Sequence, residues 1–161
     1  MRKAIAIGIL GLTLCGNTAV AQTATEQARI LGEFQSSVVD YAQRYTFHGE
    51  FPVAASVASP APQVFTLPVA MVFRQLIARA LAAPGGVAIS GLKTTHRAVV
   101  LQPFPANELF DFPKVLRDTL PALPAPLEYR LIGNDLVIRD AEADVVIAVL
   151  RDALVTLTAK Y

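Results

Sequence analysis

The chain has 161 residues, fourteen basic against thirteen acidic side chains, a formal net charge of +1 and a single cysteine. With no basic run, a nucleic-acid partner has little electrostatic support, and one thiol excludes an internal disulfide or a multi-cysteine metal site. The length suits one domain and is too short for a leader plus two ordinary ones.

Met1-Arg2-Lys3 precedes an apolar run from Ala4 to Leu14, which ends at Asn17-Thr18-Ala19-Val20-Ala21. A positive start, an eleven-residue apolar stretch and an A-x-A site describe a secretory signal peptide over 1–21, cut before Gln22. A transmembrane anchor needs about 20 apolar residues, roughly twice this run. A lipid anchor on Cys15 would want a small residue before it, where Leu14 stands. The expected location is therefore periplasmic or secreted, with no transmembrane anchor left after cleavage. Cleavage leaves 140 residues and removes Arg2, Lys3 and Cys15, so the mature chain is thiol-free and its net charge becomes −1.

An amphipathic helix is expected within 22–49. Leu31, Phe34, Val38, Tyr41 and Tyr45 recur at spacings of three and four. Thr23 and Glu26 fit a capping box at its start, and Gly49 a left-handed stop. Its stripe suits a helix packed on its own domain; a homo-oligomer formed through this helix stays open. Residues 50–63 carry Pro52, Pro60 and Pro62 without either period and read as a linker.

The remaining 64–161 reads as a small α+β domain. A second helix places Val69, Val72, Phe73, Leu76, Ile77, Ala80 and Leu81 on one face and Arg74, Gln75 and Arg79 on the other. Pro68 fits its first turn, and Pro84-Gly85-Gly86 stops it. Arg97 to Gln102 is apolar and β-branched enough for a short strand, ended by Pro103 and Pro105. Phe104, Phe110 and Phe112 are expected as core plugs in an irregular segment, and Pro113 opens a short helix to Leu120.

The C-terminal end predicts a three-stranded antiparallel meander. Leu127–Ile132 leads into a turn at Gly133-Asn134-Asp135, Leu136–Arg139 follows, and a polar turn at Asp140–Asp144 leads to Val145–Leu150. Pro121, Pro124 and Pro126 form a stiff lead-in, and Ala153 to Tyr161 is expected as an extended or frayed end. The fold class is thus α+β, with two or three helices packed on a small antiparallel β-meander.

Leu123-Pro124-Ala125-Pro126-Leu127-Glu128-Tyr129-Arg130, then Gly133-Asn134-Asp135-Leu136-Val137-Ile138 and Val145-Val146-Ile147, resembles two groups of proteins. One is a set of uncharacterised exported bacterial proteins with the same P-x-x-L-E-Y-R, G-x-D-L order. The other, more weakly similar, is the periplasmic nickel/cobalt-homeostasis (RcnB-like) family. Both resemblances rest on turn and strand residues, so they imply a shared structural module rather than a shared activity.

Candidate chemistry is sparse. His48 with Glu50, and His96 far along the chain, do not make the several-ligand cluster that a soft-metal site collects. Asp140, Glu142 and Asp144 have calcium-loop spacing, but Val145 and Arg151 replace the turn glycine and the closing carboxylate, so a solvated turn is expected. Ser90-Gly91-Leu92-Lys93 matches S-x-x-K without the partner motifs of that chemistry. The echo of Val115-Leu116-Arg117-Asp118 in Val149-Leu150-Arg151-Asp152 reads as two apolar elements ending in charges rather than as a repeat. No residue is assigned a catalytic, cofactor-binding or metal-binding role, and no cofactor is expected. The functional expectation is a non-enzymatic exported protein that binds another protein or an envelope component. The alternatives are a periplasmic metal-stress protein and a small hydrolase using Ser90.

Overall fold

A computed structural model describes residues 17–46, 63–83, 94, 96–108 and 111–154. Helix α1 spans Asn17–Thr46 and α2 spans Leu67–Ala82. After a 3-10 turn at Ala106–Glu108 come the short α3 (Lys114–Thr119) and strands β1 (Leu127–Ile132), β2 (Asp135–Asp140) and β3 (Val145–Leu150). The strands form one antiparallel sheet in the order β1-β2-β3. The expected α+β architecture, helices on a small C-terminal meander, is the observed one.

Helix α1 starts earlier than the expected capping box. It begins at Asn17, so Thr23 and Glu26 lie inside it rather than at its end. Asn17 to Gln22 contains neither Gly nor Pro to stop it, and Glu26 bonds Arg29 one turn on, at 2.5 and 3.0 Å. The buried stripe is Ile30, Phe34, Val38, Tyr41 and Ala42, so Ile30 takes the inward position expected of Leu31, which is half-buried. The expected stop at Gly49 lies outside the described residues, as does the linker except for Gln63, which is exposed.

Helix α2 carries Pro68 in its first turn and buries Val69, Val72, Phe73, Leu76, Ile77 and Ala80, the face its spacing predicts. An aromatic chain ties the layers together. Phe34 of α1 lies 4.7 Å from Phe73 of α2, which meets Tyr129 of β1 at 6.3 Å; Phe112, just before α3, stacks on Tyr129 at 5.8 Å. Helix α1 therefore shares one core with α2, α3 and the sheet. The expected stop at Pro84-Gly85-Gly86 is not among the described residues.

The β1–β2 turn has Gly133 at φ 58°, with Asn134 outside the positive-φ set. That is the pattern of a type II′ two-residue hairpin turn, which favours glycine at its first central position. It fixes the register Ile132 to Asp135, Leu131 to Leu136 and onward to Leu127 and Asp140. Between β2 and β3 the register slips by one at a bulge: Ile138 faces Ala148 and Arg139 faces Val146. The extra residue, Ile147, lets both it and Ala148 join the helix-side core.

Alternation then divides the sheet into two covered faces. Leu127, Tyr129, Leu131, Leu136, Ile138 and Leu150 meet the helices. On the opposite face Ile132, Val137 and Val146 pack under Ala98 and Phe104. Phe104 and Phe112 are thus core plugs as expected; Phe110 is outside the described residues.

The expected strand Arg97–Gln102 does not form. The segment turns at Val100-Leu101, with Leu101 at φ 65°, and touches the sheet through a single bridge from Pro103 to Val145. Leu101 N–H donates to the Val146 carbonyl at 2.8 Å and Phe104 N–H to the Asp144 carbonyl at 3.1 Å. A left-handed residue and a proline without N–H, two positions apart, stop this ladder from extending.

At the other end, residues 151–154 form a turn rather than an extended or frayed end, and bury Ala153 and Leu154. Asp135 holds this turn by accepting from the Arg151 guanidinium at 2.5 Å and from Asp152 N–H at 2.9 Å. The rest of the tail, 155–161, lies outside the described residues.

Candidate functional site

Two concave surfaces stand out. The first is a groove of about 620 Å³ between the first half of α1 and the head of α2, lined by Ile30, Leu67, Pro68, Met71 and Val72 with Thr23, Glu26, Gln27 and Gln75. Leu67 is 74% exposed and Met71 54%, although both are large and apolar. They stand one helical turn apart, at i and i+4, so together they form a continuous apolar ridge along the groove. The Glu26–Arg29 pair lies on the same stretch of α1; that hydrogen bond holds Glu26 below its ordinary pKa and raises Arg29.

The second is a cleft of about 460 Å³ beside β1. One wall is Leu127-Glu128-Tyr129-Arg130 of the strand; the other is Phe112 and Arg117 with the Pro121-Ala122-Leu123 loop. Tyr129 forms its buried floor. Its hydroxyl donates to the Pro121 carbonyl at 2.9 Å, which pins the loop, and burial pushes its pKa well above the ordinary value. Gln35 of α1 holds the same loop by donating to the Ala122 carbonyl at 2.9 Å, and Arg117 donates to the Phe112 carbonyl at 3.0 Å.

A charged cluster runs from this cleft across the second face of the sheet. Arg130 grips Glu128 through two hydrogen bonds of 2.9 and 2.7 Å. Arg139, across the ladder from Glu128, approaches the same carboxylate at 3.3 Å and Asp144 at 3.3 Å, with Phe104 over its guanidinium at 5.3 Å. Its side chain is only 10% exposed, and Nε and Nη1 make no hydrogen bond. A buried guanidinium held by ion pairs and a ring fits a clamp that holds the Phe104 segment down on the sheet.

The residues singled out from the sequence scatter. His96 is exposed, with Nε2 3.0 Å from Asn107 Nδ2; His48, Glu50, Ser90 and Lys93 lie outside the described residues. Asp140 turns its carboxylate into the β2–β3 turn, where it accepts from Glu142 and Ala143 N–H, both at 2.9 Å. Asp144, at φ 53°, ends that turn and faces Arg139, so the acidic triplet shapes a turn rather than converging on one point. Among the described residues no group of three or more His, Cys, Asp or Glu is placed to hold a metal ion. The two echoed Arg-Asp pairs differ in use: Arg117 holds the backbone of Phe112, whereas Arg151 ties Asp135 to the Ala98 carbonyl.

Sequence reasoning missed the residues that line both concavities. Leu67 and Met71 had a signal, as apolar positions of α2 off its buried stripe. Glu128 and Arg139 had one too, because a two-residue turn at Gly133-Asn134 places them directly opposite each other. Comparison with protein-family models, curated proteins and solved structures finds no match.

Proposed function

We propose that this chain is an exported, non-enzymatic binding protein, cut before Gln22, which docks an amphipathic helix of an envelope protein into the groove between α1 and α2. The supporting observation is the exposure of Leu67 and Met71 over that groove. A furrow between two helices accepts a third through anchors spaced at i, i+3, i+4 and i+7. Methionine suits such a surface because its unbranched thioether adapts to the incoming shape. The polar rim of Glu26, Gln27 and Gln75 supplies hydrogen bonds around an apolar centre, as binding surfaces do.

The test is a photo-crosslinking residue placed at Leu67 in cells. The expected result is one discrete crosslinked envelope protein, lost when Met71→Asp is added, with the melting temperature unchanged because Met71 is exposed. A crosslink to a second copy of this chain makes the protein a homo-oligomer instead. No discrete crosslink, or one indifferent to Met71→Asp, removes the groove as the binding site.

A further inference from the structure

We infer that the thioether of Met71 is an oxidation-sensitive switch on the groove between α1 and α2: a peroxide converts it to the sulfoxide and closes the groove to an apolar partner. The inference rests on the docking role proposed for that groove.

The sequence supplies the first argument by subtraction. The chain holds two methionines, Met1 and Met71, one cysteine, Cys15, and no tryptophan. A cut before Gln22 removes Met1 and Cys15, so the exported chain keeps a single sulfur atom, that of Met71. Thiols and thioethers are the side chains that peroxides oxidise under mild conditions. With no thiol to compete, that chemistry is directed to one position. An exported chain also leaves behind the glutathione and thioredoxin systems that keep the cytoplasm reducing.

The structure puts this residue where an oxidant can reach it. Met71 is 54% exposed and lines the groove. Its neighbours Ala70 and Val72 are buried and fix the helix beneath it. An added oxygen therefore alters the groove and leaves the core alone. The step is a two-electron oxygen transfer. A sulfur lone pair attacks one oxygen of hydrogen peroxide and the O–O bond breaks. The departing hydroxide takes the proton of the transferred oxygen and leaves as water. The thioether is oxidised to the sulfoxide, the peroxide is reduced, and the protein gains no charge.

The product is wrong for the surface. Leu67 and Met71 make an apolar ridge, with Glu26, Gln27 and Gln75 around it. A sulfoxide oxygen is a hydrogen-bond acceptor, which water satisfies in the free groove. A helix laid on the ridge displaces that water and brings an apolar face in its place, so the acceptor is buried without a donor. The sulfoxide also lacks the apolar, adaptable character that suits methionine to such a surface.

The test uses the purified exported chain with a photo-crosslinking residue at Leu67. It is oxidised with hydrogen peroxide, freed of the peroxide and then mixed with the envelope fraction, so that the partner never meets the oxidant. Peptide mapping should place one added oxygen on Met71, with the melting temperature unchanged, and crosslinking should fall about tenfold or more. Methionine sulfoxide reductases for both epimers should restore it. In Met71→Leu, crosslinking with and without peroxide treatment should be equal. The inference is overturned if Met71 takes up no oxygen, if the reductases remove the oxygen without restoring crosslinking, or if Met71→Leu stays sensitive to peroxide. A crosslink indifferent to complete oxidation removes this inference alone; no crosslink before oxidation removes the docking role, and the inference with it.

Discussion

Tyr129 stands where α2, α3 and the sheet meet, with Phe73 on one side, Phe112 on another and its hydroxyl on the Pro121 carbonyl. Burial raises its pKa above the ordinary value of 10.0. A group whose folded pKa is raised contributes its full stabilisation below the unfolded value and loses it as pH climbs beyond. Stability should therefore hold up to about pH 10 and fall above it, because the unfolded chain ionises there and the folded chain resists. Tyr129→Phe should remove most of that alkaline slope, at a neutral-pH cost of about 1 kcal/mol for the lost hydrogen bond. Urea titrations of both proteins between pH 7 and 11 check this; an unchanged slope would contradict it. Such a role was half legible in the sequence. An aromatic residue in an alternating strand announces a core position, as Phe104 and Phe112 did before the sheet. Its hydroxyl partner comes from a proline-rich loop whose path no local pattern specifies.

At the scale of elements, periodicity predicted α2 and all three strands because each carries its own boundary signals: Pro68 in a first turn, Gly133 at positive φ, and Asp140 closing the β2–β3 turn on its own carboxylate. It failed where the boundary is set elsewhere. The expected start of α1 at Thr23 has no Gly or Pro in the six residues before it, and the apolar run from Ala98 to Leu101 was denied a ladder by Leu101 and Pro103. The candidate site was less legible than the fold, since both concavities are bounded by elements distant in sequence. Only Leu67, Met71 and the Glu128–Arg139 pair left a local trace. What holds α1 in place is a tertiary matter, carried by Phe34 between Phe65 and Phe73. Phe34→Ala should cost about 3–5 kcal/mol through lost burial and the cavity left behind. Against a typical domain stability of 5–15 kcal/mol, that brings unfolding close to ambient conditions. Thermal melts followed by circular dichroism should show a single transition moved sharply down; a small shift would mean that α1 contributes little to the core.

For the whole molecule, the proposed cut before Gln22 falls within α1, and from Thr23 onward its first buried side chain is Ile30. Removing the leader should therefore leave the core whole. In exporting cells, intact-mass analysis should find a chain beginning at Gln22, and Ala21→Arg should leave the full-length form to accumulate. A product that still carries Met1 would refute the leader reading.

The two-sided burial of the sheet also imposes an order in time. Among the described residues α1, α2, the Phe104 segment and α3 cover it from before Leu127 and the turn at 151–154 from after Leu150, whereas β1, β2 and β3 lie between. A chain emerging from its amino end thus presents its apolar coverings while the surface they belong to is still unmade. Phe34 can meet Phe65 and Phe73 early, but the rest of the helical stripes await the strands that begin at Leu127. Maturation should be all-or-none and late, and until then the emerging chain depends on whatever shields it in transit.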